Sequence, residues 1–344
     1  MKTFYIVMAI VLGSILLILL ASYILTTILL KKSFKRMDFV KGNGFISYDD
    51  IKDKYSREEY SFKSKKNTIK AYLYKGTKPD DVVVYVHGMC PGHEGYTSDI
   101  TSLVDRGYNV FTYDYTATGN SEGKYYSGLD QQLKDLKCAM EFLKQNNYLG
   151  FKNIYMYGHS MGGYAVAAYN DDVIKAKVSI SGFNDPISEI VAALGNGKDK
   201  FIMALMSFIL HLKYFIERGV NYNVKAHKML MKTNSHTLII HGTADETVPF
   251  EKVSIYSKKD LINNEKVEYL KMDDELHNTH NSVIASSDCV LYQRKMQEIY
   301  NDEIKKGKSP QVAREAMLKR IDPFKFNVAN EELMDIIQKF FESN

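Results

Sequence analysis

Hydrophobic and polar positions along the 344-residue chain follow three patterns in succession. From Thr3 through Leu30 no residue is charged, and residues 4–12 and 15–20 are almost wholly apolar. About 20 such residues cross a bilayer as a helix, and this run is longer. A secretory signal would carry a shorter apolar region of roughly 7–15 residues and a small-residue cleavage site. No convincing site of that kind stands near Ala21-Ser22-Tyr23, so the run reads as an uncleaved anchor, with a removed signal as the alternative.

Beyond residue 60 short apolar runs alternate with helical periodicity. Residues 60–63 and 69–74 predict an antiparallel pair at a sheet edge, joined by a polar turn. Further strands are predicted at 82–86, 110–113, 154–157, 178–181, 238–241 and 267–270. Leu129, Leu133, Leu136, Met140 and Leu143 recur at helical spacing, and 331–341 reads as a closing helix. Strands alternating with helices imply an α/β fold, a mostly parallel sheet with helices on both faces.

Two stretches interrupt this rhythm. Between Gly182 and Ser235, residues 201–212 form a helix pattern that is apolar nearly all round and too short to cross a bilayer. It reads as a cap over the site, suited to an acyl or other greasy group, or as a helix buried only to fold. Between Asn281 and Phe326, the charged stretch 293–299 reads as an amphipathic packing surface. Gly42-Asn43-Gly44 reads as a loop after the anchor, and Gly195-Asn196-Gly197 as one inside the cap. The organisation is an anchor over 1–30, a juxtamembrane linker over 31–57, and one domain over 58–344 with a cap insertion at about 183–235.

Charge changes the picture little. The net charge is +4 and the lysines are scattered, which gives no concentrated basic face for nucleic acid. Lys31, Lys32, Lys35 and Arg36 follow the span, against Lys2 before it; the excess predicts a cytoplasmic domain, and the expected partner of the span is the lipid bilayer. Cys90, Cys138 and Cys289 cannot all pair and suggest no disulfide framework. His93, His211, His227, His236 and His241 contain no pair at the spacing that puts two metal ligands on one helix face, and no Gly-x-Gly-x-x-Gly or Walker A pattern occurs. No metal and no cofactor are expected.

The chemistry is concentrated in Gly158-His159-Ser160-Met161-Gly162, set between the apolar run 153–157 and the helix-like 163–168. A strand, a sharp turn carrying a serine, then a helix is a nucleophile elbow; the bland alternative is a tight turn with a capping serine. Upstream, the buried strand at 82–86 runs into His87-Gly88-Met89, so the N–H groups of Met89 and Met161 are candidate donors to a tetrahedral oxyanion. Downstream, the strand at 238–241 leads to Asp245, and the strand at 267–270 to a loop carrying His277 and His280.

The order Ser, Asp, His is that of the α/β-hydrolases, and the chain from about Tyr60 onward resembles that superfamily, in its serine aminopeptidase-like and monoacylglycerol-lipase-like branch. The resemblance is carried by His87-Gly88, by 113–123 with its Asp-x-x-Gly-x-Gly-x-Ser-like loop, by the elbow, and by 241–249. Thr116 and Thr118 depart from the Arg and Gly common there. The resemblance implies a fold and a catalytic triad of Ser160, Asp245 and His277 but gives no substrate; the expected partner, a small-molecule acyl substrate, follows from the serine chemistry and the apolar cap. His277 is taken as the base because it comes first after the strand and precedes Asn278, similar to the family's His-Asn pair; His280 is the alternative. Asp185 is a competing acid, or an Asp-Pro turn. The expected activity is that of a membrane-anchored serine hydrolase acting on apolar acyl esters. An aminopeptidase-like amide hydrolase and a non-catalytic binding module are the rivals.

Overall fold

The computed structural model describes residues 1–195 and 199–344; the loop expected around Asn196-Gly197 therefore lies outside the described residues. The uncharged N-terminal run forms α1 (Lys2–Ser33), none of whose residues is buried in the protein. Among the described residues it is the one helix long and apolar enough to cross a membrane.

The segment expected as a linker is laid onto the domain. Phe34, Ile46, Ile51 and Tyr55 are buried, and Lys35 and Met37 pair with Tyr125 and Thr118 as isolated bridges. β1 (Arg57–Ser64) and β2 (Asn67–Tyr74) then form an antiparallel hairpin, with Ser64 opposite Asn67. Lys65 takes a left-handed conformation at φ 53 to close the turn.

Six further strands follow, β3 (Asp81–Val86), β4 (Asn109–Tyr113), β5 (Asn153–His159), β6 (Ile174–Ile180), β7 (His236–Gly242) and β8 (Val267–Met272). They join the hairpin in one sheet of order β1-β2-β4-β3-β5-β6-β7-β8. β2 runs antiparallel to β4, and every pair from β4 to β8 is parallel. Parallel neighbours need crossovers that cover both faces, which is why the central strands are continuous apolar runs.

The crossovers are α2 (Thr97–Asp105) after β3, α3 (Gln131–Gln145) after β4 and α4 (Met161–Ala168) after β5. After β6 come α5 (Pro186–Gly195), α6 (Lys200–Arg218) and α7 (Ala226–Leu230), and after β8 come α8 (Ser287–Lys305), α9 (Pro310–Leu318), α10 (Pro323–Phe326) and α11 (Glu331–Glu342). Leu133, Leu136 and Met140 of α3, Val166 of α4 and Leu230 of α7 share one core with Val84, Met156 and Ile239 of the sheet. Ile100 and Leu103 of α2 and Leu333, Ile337 and Phe341 of α11 pack with Val83, Tyr157 and Ile240 on the other face. The fold is the mostly parallel, helix-covered sheet of the α/β-hydrolases. Its carboxyl-end loops, after β3, β5, β7 and β8, gather on one side, where ligands bind in open α/β sheets.

Candidate active site

Ser160 sits between the end of β5 and the first residue of α4 with φ 57 and ψ −118. A non-glycine residue at positive φ is uncommon and costs backbone energy unless its surroundings fix it. They do: the Ser160 N–H donates to the Ile180 carbonyl at 2.8 Å. A Cβ on Gly158 would overlap the backbone of Gly162, and one on Gly162 would overlap the Val86 carbonyl. Both glycines are therefore required by backbone contact, which brings the start of α4 against the end of β3.

His280 faces this serine. Its Nε2 lies 2.9 Å from Ser160 Oγ and its Nδ1 2.7 Å from Asp245 Oδ2. The carboxylate accepts from the imidazole at Nδ1, which leaves Nε2 to accept from the hydroxyl. Asp245 is buried, and its other oxygen accepts the backbone N–H groups of Thr247 and Val248 at 2.9 and 2.8 Å. Burial alone would raise its pKa; hydrogen bonds from His241 and His280 outweigh that and hold the carboxyl well below the usual range. Asp245 is thus an anion fixed in orientation and in charge.

The structure brings His280 to Ser160, and not His277, which was expected as the base. His277 turns away: its Nδ1 lies 3.1 Å from the Ser282 carbonyl and its Nε2 3.0 Å from Ser287 Oγ. The reason lies in how the loop after β8 is pinned. The Ala244 N–H donates to the Asn278 carbonyl at 2.8 Å, and the Thr279 N–H to Ser282 Oγ at 3.0 Å. With the backbone held at 278 and 279, residue 280 is the one that reaches Ser160. Asp185, the competing acid, accepts the Ser188 N–H at 2.9 Å and holds Ser188 Oγ and Asn223. It caps the first turn of α5.

The loop Gly88-Met89 lies against Ser160: a Cβ on Gly88 would stand 3.1 Å from Ser160 Cβ. Met161 opens α4, so its N–H precedes the first intrahelical bond and is free to point at a ligand. His87 is buried beneath the loop, stacked on Tyr115 at 4.9 Å, and Gln132 Nε2 donates to its carbonyl at 2.6 Å. Burial pushes the His87 imidazole down to about 4.

Two further side chains belong to the site that the sequence reading left without a task. His159 Nε2 lies 2.9 Å from the His280 carbonyl, which can only accept, so Nε2 carries the proton and Nδ1 accepts the Tyr96 hydroxyl at 2.8 Å. Burial, reinforced by the neighbouring His280, pushes His159 down to about 3, so it stays neutral. His241 Nε2 lies 3.2 Å from Asp245 Oδ2, the oxygen that His280 also contacts, and 3.0 Å from the Val248 carbonyl. Their only signal in the sequence is adjacency, one beside Ser160 and one at the end of the strand before Asp245.

Two cavities flank these residues. One of about 340 Å³ is lined by Met89, Cys90, Ile284, Ala285, Phe326 and Val328 among others. The other, of about 630 Å³, is bordered by His280, Glu246, Thr247, Gln293, Arg294 and Phe326. Residues 281–328, which contain the 293–299 stretch expected as packing surface, contribute walls to both, whereas α6, expected as the cap, lies against α1.

A family model described as serine aminopeptidase, S33, matches residues 77–182. The protein YfhR of Salmonella typhi is 25% identical over 182 residues, covering 49% of this chain and 56% of its own length. The quorum-quenching protein AidA of Acinetobacter baumannii is 30% identical over 129 residues, 36% of this chain and 42% of AidA. The chain thus spans about half the length of these relatives. Among solved structures, the Pyrococcus furiosus esterase Pf2001 superposes with a TM-score of 0.53 at 21% identity, over 73% of this chain and 90% of that one. That likeness shows the α/β-hydrolase fold, and with the family match it supports a hydrolase.

Proposed function

We propose that this protein is a membrane-anchored serine hydrolase that cleaves apolar carboxylic esters through an acyl-enzyme intermediate. The observation that carries the reading is the unbroken chain Ser160 Oγ, His280, Asp245 at 2.9 and 2.7 Å. Three residues 35 to 120 positions apart meet there, and a capping serine would have no use for the other two.

In this reaction Ser160 Oγ attacks the acyl carbonyl carbon while its proton passes to His280 Nε2. The carbonyl oxygen becomes an oxyanion and takes hydrogen bonds from the N–H groups of Met89 and Met161; such a donor is worth about 3–4 kcal/mol of barrier lowering. Asp245 stabilises the imidazolium without accepting its proton. The intermediate collapses by breaking the carbon–oxygen bond to the alcohol, which leaves with the proton from His280. Water, deprotonated by His280, then releases the acid and restores Ser160. The mostly apolar 340 Å³ cavity beside Met89 suits an acyl chain, and the more polar one beside His280 a leaving group. α1 spans the bilayer, and Lys31 and Lys32 in its last turn keep the domain in the cytoplasm.

A fluorophosphonate probe tests the mechanism: it labels Ser160, and Ser160→Ala abolishes labelling. No labelling of the folded protein overturns the reading. Assay of p-nitrophenyl esters of graded chain length beside aminoacyl amides tests the substrate class. Faster turnover of the amides would reassign the protein as a peptidase.

A further inference from the structure

The anchor does not stand apart from the catalytic domain. Along one side of α6, Phe201, Leu205, Phe208, Leu212, Phe215 and Ile216 recur at intervals of three and four residues, the spacing of a single helical stripe. The opposite side is fixed to the domain: Leu210 and Tyr214 are buried in its core, and Arg218 bonds Asp130 at 2.7 Å.

α1 crosses this stripe. Leu16, Leu19, Leu20 and Tyr23 face Ile209, Leu212 and Ile216 across a crevice of about 530 Å³. The crossing is tied by polar contacts: Lys213 Nζ donates to Thr27 Oγ1 at 2.8 Å and to Glu217, and the Tyr23 hydroxyl donates to Glu217 at 3.0 Å. The Lys213 side chain is only 5% exposed, so this is a desolvated, paired charge. The rest of the stripe is uncovered, with Phe201 75%, Phe208 55% and Phe215 50% exposed.

The depth of the crossing follows from arithmetic. A span needs about 20 residues, and every window of that length inside the uncharged run 3–30 contains residues 11–22. Wherever the bilayer sits on α1, Leu16, Leu19 and Leu20 lie within its hydrocarbon. The α6 side chains that touch them share that environment.

From this, and resting on the reading of α1 as a membrane span, we infer that α6 is a second membrane-embedded element whose stripe Phe201–Leu205–Phe208–Phe215 is covered by lipid acyl chains. The helix lies in the leaflet beside the anchor, supported from the domain side by Tyr214 and Arg218. The domain is thereby held directly on the bilayer, without a tether. The occupant is the lipid that already surrounds the bare side chains of α1, since the two apolar surfaces are continuous.

The chain contains no tryptophan, so single substitutions report their own position. Leu16→Trp, Phe208→Trp and Phe324→Trp would be made in the full-length protein, reconstituted in phosphatidylcholine vesicles with brominated acyl chains. Phe324, exposed on α10, serves as the aqueous control, and far-UV circular dichroism checks folding. The expected result is blue-shifted, bromine-quenched emission from the first two and none from the third; Phe215→Trp repeats the test on the same stripe. Quenching at 16 with none at 208 and 215 overturns the inference while leaving the anchor intact. No quenching at 16 overturns the membrane span itself. Shielding of 208 from brominated lipid only at high protein-to-lipid ratio would put a second copy of this chain on the face, and overturns the lipid assignment.

Discussion

The imidazole of His159 donates from Nε2 to the main-chain carbonyl of His280 at 2.9 Å. The residue preceding Ser160 thus holds the backbone of the residue that contacts it, and Tyr96 holds His159 in turn. His159 touches no reacting atom in the proposed chemistry; it is a positioning residue.

His159→Ala is expected to lower kcat by about 10- to 100-fold, the scale of a misplaced reacting group, with KM little changed. His159→Gln, which keeps a donor near the His280 carbonyl, should restore most of the loss. Steady-state kinetics on an ester substrate checks this. Equal loss in both variants would show that the ring only packs.

Exchanging the two loop histidines separates their tasks. His280→Ala should cost on the order of 10³-fold or more in kcat/KM, whereas His277→Ala, which breaks contacts to Ser282 and Ser287, should cost less than about tenfold. A reversed order would return the base to His277.

Asp245→Asn keeps an oxygen to accept the Thr247 and Val248 N–H groups but turns an amide donor toward His280 Nδ1. The imidazole is then left in the wrong tautomer, and kcat should fall by roughly 10³- to 10⁴-fold. Thermal melting run alongside should move little. A large drop in Tm would mean that the carboxylate is chiefly structural.

Glu189 on α5 is buried, and its Oε2 has no partner among the described residues. Burial, with Asp245 and Asp185 nearby, pushes its carboxyl up to about 8 from an ordinary 4.5. Between those values the folded protein holds a proton that the unfolded chain releases, so rising pH favours unfolding across that window. Glu189→Gln should therefore stabilise the protein at pH 8 by on the order of 1–3 kcal/mol, with the gain vanishing toward pH 4.5. Melting curves across this range check it; a constant offset would remove Glu189 as the cause.

Much of the site was legible because its parts are local. Gly158, Ser160 and Gly162 announce an elbow within five residues, since the backbone contacts that exclude a Cβ arise from a turn of fixed geometry. Asp245 was legible for a related reason: it follows a strand end and is held by the N–H groups of Thr247 and Val248, two and three residues on. Asp185 was ambiguous from sequence, and in the structure it is taken up by Ser188 and Asn223 at the start of α5.

The choice between His277 and His280 was of another kind. Both are three residues apart in one polar loop, and order along the chain favoured the first. What selects the second is contact with distant segments: Ala244 binds the Asn278 carbonyl and His159 binds the His280 carbonyl. Likewise the apolar pattern of 201–212 foretold a helix but not its neighbour. α6 meets α1, while Phe326 and Ile284 from the second insertion wall the cavities.

The sequence by itself determined the strand and helix alternation, the membrane-length apolar helix, the elbow and the carboxylate, because periodicity, length and short-range backbone sterics act within a few residues. Tertiary structure alone decided which histidine faces Ser160, which elements wall the site and where α1 touches the domain. Those outcomes depend on hydrogen bonds and packing between segments far apart in the chain, whose energies no local pattern records.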